Sequence, residues 1–122
     1  MQNRDMKIIY KNMSKNIEVI SIVDRYLEHT RFMIFNSNDN NKVFISSADW
    51  MTRNLDNRVE VTCPILQEDL KKEILDIFNI YWSDNIKSRL VNSNSKSRIT
   101  NQKSFRSQEK MYNYYLNKIE AL

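Results

Sequence analysis

Hydrophobic positions along this chain change rhythm several times, and each change predicts an element. Residues 17–23, IEVISIV, are dense in β-branched side chains and predict a buried strand. Residues 24–29 can form one or two helical turns, which would bring Arg25 and His29 to i,i+4 positions on one face. Residues 31–35, RFMIF, make a short continuous apolar run, the pattern of a strand covered on both sides. The polar cluster Asn36-Ser37-Asn38-Asp39-Asn40-Asn41 is the clearest turn signal, and Val43–Ser47 resumes as a strand, so 31–47 predicts a hairpin. Residues 58–63, RVEVTC, alternate: Val59, Val61 and Cys63 would face a core, with Arg58, Glu60 and Thr62 on the opposite face. Pro64 is expected to close that strand.

The period then turns helical. Across 67–90 an apolar stripe runs through Leu70, Ile74, Ile77, Phe78, Tyr81 and Trp82. Glu68 and Asp69 fall in its first turn, Lys87 and Arg89 in its last, both suited to the helix dipole. Such a helix would be roughly 35 Å long and could cover one face of a small sheet. Residues 91–107 are Ser, Asn, Lys and Arg with few apolar groups, a linker or extended arm. Residues 108–121 predict a second helix through Met111, Tyr115, Leu116 and Ile119. The fold expected from these periods is α/β, one mixed β-sheet packed against a long C-terminal helix, with an apolar edge suited to meet another chain.

Composition narrows the chemistry. In 122 residues there is no glycine, which excludes every phosphate cradle built from a Gly-rich loop; phosphate would have to be held by side chains. Asparagine takes over the turn positions. The net charge is 19 − 15 = +4, divided unevenly: residues 1–90 carry 13 basic and 13 acidic side chains, residues 91–122 carry 6 and 2. With one cysteine and one histidine, neither a disulfide framework nor a cysteine-based zinc site is available, and any metal would rest on carboxylates. No apolar run approaches the roughly 20 residues of a membrane helix, and MQNRDMKII lacks the apolar stretch of a secretory signal; a reducing cytoplasm is the default expectation.

The candidate chemistry gathers around His29. Arg25, Glu28 and Arg31 lie close in sequence, and Arg58 and Glu60 share a face of a candidate neighbouring strand. Phosphoryl transfer needs cations on the equatorial oxygens and a group that moves a proton or accepts the phosphoryl. Imidazole suits the second task near neutrality, arginine the first, and a carboxylate such as Glu60 could set the ring's tautomer. By the residues alone, an ordinary surface histidine among solvated charges fits as well. Cys63 reads as an inert core thiol, Tyr81 and Trp82 as core packing, and Trp50 and Met51 as residues packed beneath the site. Lys96, Arg98, Lys103 and Arg106 form a basic tail that is either a solvated arm or an attractor for a polyanion.

Longer motifs add to this. NIEVISIVDRYLEHTRFMIF, followed by VFISSADWMTRNLDNRVEVTCPIL, resembles the C-terminal catalytic domain of the polyphosphate kinases, the family that elongates polyphosphate from ATP. The resemblance runs from about Ser14 to Leu90, with an echo at Phe105-Arg106-Ser107-Gln108. It implies a phospholipase-D-like half-domain that faces a second, similar half across the active site. The other half carries the histidine that becomes phosphorylated. His29, in Leu27-Glu28-His29, matches the second essential histidine, which contacts ATP and assists transfer. Arg58 and Glu60 match positions lining the same site, and Ser46-Ser47-Ala48-Asp49-Trp50-Met51 with Arg53-Asn54 resembles the segment shaping the phosphate channel. The resemblance thus implies His29, Arg58 and Glu60 as catalytic residues, and His29, Arg25, Arg31, Ser46, Ser47, Arg53 and Asn54 as phosphate or nucleotide contacts.

There are departures. Where the wider superfamily's phosphodiesterases have His-x-Lys-x4-Asp, this chain has His29-Thr30-Arg31 and, four residues on, Asn36, which suits a kinase-type variant. MKIIYKNMSKN stands where the family has a Gly- and Pro-rich loop with an ATP-contacting arginine. The expected organisation is therefore an irregular leader at 1–16, the half-domain at 17–90, and a basic linker with a terminal helix at 91–122. The expected role is the C-terminal part of an ATP:polyphosphate phosphotransferase, inactive alone. The alternatives are an orphan half-domain that binds polyphosphate or another polyanion without turnover, and a homodimeric hydrolase. ATP is the expected substrate, and Mg2+ is expected for the family with its ligands outside this segment. The expected partners are the missing N-terminal domains or a second copy; nucleic acid is not expected.

Overall fold

The computed structural model describes residues 16–36, 41–91, 98 and 103–121, and the chain divides into two compact units, 28–78 and 1–27 with 79–122. The leader at 1–15, the centre of the Asn-rich turn and Lys96 lie outside the described residues.

Unit 28–78 is built on a three-stranded antiparallel sheet, ordered β2 (Phe32–Phe35), β3 (Lys42–Ser46), β4 (Thr62–Ile65). The first two are the predicted hairpin, registered Phe32↔Ile45 and Ile34↔Val43. Val43 sits at the centre, opposite Ile34 on one side and Ile65 on the other, and at 1% exposure it is the one fully buried hydrophobic side chain among the described residues. Residues opposed across strands share a face, so Phe32, Ile34, Val43 and Ile65 line one side. Phe78 of helix α2 (Glu68–Trp82) meets that side, its ring edge-on to Phe32 at 6.5 Å. The other face carries Phe35 and Phe44, also edge-to-face. A short helix, α1 (Thr52–Asn57), fills the connection between β3 and β4.

Three expectations are corrected here. The alternating run is not strand along 58–61: β4 starts at Thr62, Val59 and Val61 are exposed, and Cys63 is exposed rather than a core thiol. Pro64 does not end the strand but lies inside it, opposite Phe44; β4 is an edge strand, where the missing N–H costs no ladder bond. Helix α2 stops at Trp82, so Lys87 and Arg89 are not in its last turn, and at 15 residues it is roughly 22 Å long.

The reason for that stop lies in the other unit. Asp84 is buried, and its Oδ1 accepts the backbone N–H groups of Ile86, Lys87 and Ser88, which turns the chain out of the helix. The chain then enters a strand the helical period concealed, β5 (Ser88–Leu90), antiparallel to β1 (Ile20–Ile22). Among the described residues there are thus two sheets, both antiparallel, rather than one mixed sheet. Helix α3 (Ser107–Glu120) matches the predicted terminal helix. Its entry is tied down: Asp84 Oδ2 accepts the Ser107 N–H at 2.7 Å, and Asn85 brackets Phe105 through N–H to O and Oδ1 to N–H contacts. The described part of the supposed loose arm is thus fixed. Arg98 donates to the Trp82 carbonyl and lies over its ring, and Arg106 is paired bidentately with Asp24. Residues 24–29 form no helix; the Tyr26 N–H goes to the Gln108 side chain, whose amide returns a bond to the Tyr26 carbonyl.

Candidate functional site

In an antiparallel meander the start of β2, the end of β3 and the start of β4 fall at one end of the sheet. That geometry brings together the chain at 28–31, the segment 46–51 and the segment 58–61. Backbone bonds lock them: the Ser46 N–H donates to the Arg31 carbonyl and the Ser47 N–H to the Val61 carbonyl, each at 3.0 Å.

Two side-chain chains stand on this frame. In the first, the Arg31 guanidinium donates through Nε to Asp49 Oδ1 and through Nη2 to His29 Nε2, both at 2.5 Å. Arg31 and Asp49 are each about a quarter exposed, 23% and 26%, so the pair is open to solvent without being free in it. The hydrogen bond and positive charge of Arg31, helped by Arg53, hold the Asp49 carboxyl below its ordinary value; the same contact holds Arg31 above its own. In the second, Glu60 accepts from the Ser47 hydroxyl and, at 2.8 Å, from Asn54 Nδ2, while the Val61 N–H donates to Ser47 Oγ. Those two donors, with Arg58 and Arg31 nearby, hold Glu60 below the usual carboxylate range. An open cavity of about 230 Å³ lies here, lined among others by Arg31, Ser46, Asp49 and Trp50.

The residues singled out from the sequence divide as follows. His29, Arg31, Ser46, Ser47, Arg53, Asn54, Arg58 and Glu60 all belong to this unit, and His29, Arg53 and Arg58 are exposed. Arg25 belongs to the other unit, where it stacks on Tyr26 and lines a cavity of about 390 Å³ with Arg106 and Tyr112. Both Glu60 oxygens are engaged by Ser47 and Asn54, and the group that meets the imidazole is Arg31, not Glu60. Asn54 is buried at 3% exposure, its Oδ1 has no partner among the described residues, and its Nδ2 donates to Glu60. Trp50 does not pack beneath the site but stands 81% exposed. Asp49 stands in the segment Ser46–Met51 that resembles the phosphate-channel segment, but residue type and spacing assign it no site role and no partner. Its signal was faint, since an aspartate 18 positions from an arginine has no local pattern.

No group of three His, Cys, Asp or Glu side chains that could hold a metal ion occurs among the described residues. Asp49 and Glu60 already have cationic or donor partners, so this donor set does not fit Mg2+.

Comparison with known proteins adds the last finding. The profile of the polyphosphate kinase C-terminal domain 2 matches residues 4–110. The polyphosphate kinase of Vibrio parahaemolyticus is 47% identical over 110 residues, covering 88% of this chain and 16% of that protein. The Escherichia coli K12 enzyme is 46% identical over 107 residues, with 85% and 16% covered. The crystal structure of polyphosphate kinase from Porphyromonas gingivalis superposes with a TM-score of 0.83 at 43% identity, over 89% of this chain and 17% of that one. The chain thus spans about a sixth of the length of the relatives it matches.

Proposed function

This chain belongs to the polyphosphate kinase family, in the part that forms its C-terminal domain, and from that we propose that it supplies the second-histidine half of an ATP:polyphosphate phosphotransferase site. In this reading the unit at 28–78 works as a phospholipase-D-like half-domain in the cytoplasm. His29 contacts the ATP phosphates and moves a proton during transfer. Arg58 and Arg53 are exposed cations that stabilise charge on the transferring group. Ser46 and Ser47 border the phosphate path. Glu60, fixed by Ser47 and Asn54, is ready to orient an imidazole contributed by the other half. Polyphosphate and ATP are the substrates, and the remaining domains of a polyphosphate kinase are the partner.

The observation that supports this best is the clustering of one imidazole and three guanidinium side chains, from Arg31, Arg53 and Arg58, with two carboxylates anchored at one end of a sheet. A phosphoanion needs such an excess of fixed donors where no glycine loop exists. The test is reconstitution. The chain is mixed with a polypeptide carrying the remaining polyphosphate kinase domains, and polyphosphate formation from radiolabelled ATP is followed. Synthesis only in the mixture, reduced at least 100-fold by His29→Ala, is the expected result. Polyphosphate binding by the chain that His29→Ala leaves unchanged, with no synthesis in the mixture, would replace this reading with that of a polyanion-binding half-domain.

A further inference from the structure

The sharpest geometry in the molecule is the three-residue chain His29–Arg31–Asp49, and part of it has no role in the reading above. A guanidinium can only donate. Arg31 Nη2 lies 2.5 Å from His29 Nε2, so in this contact Nε2 accepts and the ring's own proton sits on Nδ1. Arg31 is not loose. Its Nε is held by Asp49 Oδ1 at 2.5 Å, and its backbone carbonyl takes the Ser46 N–H, so the residue is fixed at its guanidinium and at its backbone. Arg31 and Arg53 are the guanidinium groups that act on Asp49; Glu60 also acts on Arg31, but the acceptor at its Nε is Asp49 Oδ1.

From this we infer that Asp49 is a positioning residue: it fixes Arg31 so that the guanidinium caps His29 Nε2, holding the imidazole as the Nδ1–H tautomer until a phosphate oxyanion draws the guanidinium away. The second half of that statement rests on the phosphotransfer reading; the first does not. Arg31 Nη2 is the natural exchange point. Its partner there is a neutral ring nitrogen, and a phosphate oxyanion is the stronger acceptor, whereas the Asp49 bond at Nε is already charge-assisted and stays. Anion binding would uncover Nε2 as a free lone pair at the moment substrate arrives. The same contact keeps the ring nitrogen covered when the site is empty.

Because His29 is the one histidine of the chain, its ring nitrogens can be read without assignment ambiguity. The experiment is ¹⁵N NMR of the uniformly labelled full chain at about pH 8, where free imidazole is neutral. The Nδ1–H pattern is expected in the unliganded protein. Asp49→Ala should lose it in favour of the Nε2–H form or an exchanging mixture, and Asp49→Glu should restore it. A folded backbone spectrum of Asp49→Ala serves as the control. If that variant unfolds, the wild-type tautomer alone decides. An Nε2–H ring in the unliganded wild type overturns the inference, whatever phosphate does. Inorganic tripolyphosphate is then added. A shift of the Nε2 resonance away from its hydrogen-bonded position, weakened at least tenfold in apparent affinity by Arg31→Lys, supports the exchange. If the tautomer is Nδ1–H and depends on Asp49 but no anion moves it, the positioning role stands and the phosphate-site reading falls.

Discussion

Each unit of this molecule holds an arginine–aspartate pair, and the two pairs are alike in chemistry and opposite in setting. Arg106 grips Asp24 with two donors, Nε at 2.8 Å and Nη2 at 2.6 Å, and gives its remaining Nη1 to Glu109. The Asp24 side chain is 2% exposed. Arg31 gives Asp49 one donor, spends a second on a neutral imidazole, and both partners of that pair are about a quarter exposed. A buried carboxylate with a bidentate partner cannot lose that partner without stranding a charge, so the first pair is structural. A monodentate, half-wet pair can exchange at low cost, so the second can serve a site. The same residue types in the same chain therefore carry different functions, and the determinant is how many of their donors and acceptors are already committed.

That contrast can be broken by experiment. The largest effect is expected at Asp84, next to the structural pair in the same unit. Asp84→Ala removes the acceptor for four backbone N–H groups, from Ile86, Lys87, Ser88 and Ser107, and should cost about 3 kcal/mol in urea unfolding, with loss of the β1–β5 pairing. A variant that unfolds at the same urea concentration as the parent would show that this network is not what holds the unit. Next is Asp24→Ala, expected to lower the urea midpoint by less than Asp84→Ala does, because it takes two acceptors from the Arg106 guanidinium, which keeps Glu109. With Asp24 intact, Arg106→Lys should also lower the urea midpoint, since only a planar fork makes both bonds.

Acid should act through the same groups. Burial pushes the Asp84 carboxyl up, but the backbone N–H groups of Ser107, Lys87 and Ser88 outweigh it, and the net value is below ordinary; the Arg106 hydrogen bond does the same for Asp24. A carboxyl lowered in the folded state contributes stability that is full above its unfolded value, near ~4, and is lost as pH falls through the folded value. Circular dichroism melts should therefore be flat from neutrality to about pH 5 and fall steeply below about pH 4. The smallest effect belongs to the site: Asp49→Ala should leave the urea midpoint close to that of the parent. If its cost equalled that of Asp24→Ala, the distinction between a structural and a functional pair would collapse.

Legibility from the sequence follows the same division. The hairpin of β2 and β3 was readable because an unbroken apolar run and an Asn-rich cluster are local signals, and α3 because its period is regular. The end of α2 was not, because it is set by Asp84 capping a later turn and by β5 finding β1, some 70 positions away. In the site, His29, Arg31, Ser47, Arg58 and Glu60 could be singled out by residue type and motif. Their pairings could not: Glu60 meets Ser47 and Asn54, and Arg31 meets both Asp49 and His29. Arg106, which composition places in a basic tail, is an internal strut.

The sequence alone determined which groups exist and what they can do: no glycine, hence no backbone phosphate cradle, one imidazole, and arginines in number. It also determined the short-range elements, since neighbours in sequence feel each other's sterics and polarity directly. Only the tertiary structure decided which arginine is spent and which is available. Hydrogen-bond capacity is finite, and whether a donor is used depends on acceptors that arrive from distant segments, Asp24 at 82 positions from Arg106 and Asp49 at 18 from Arg31.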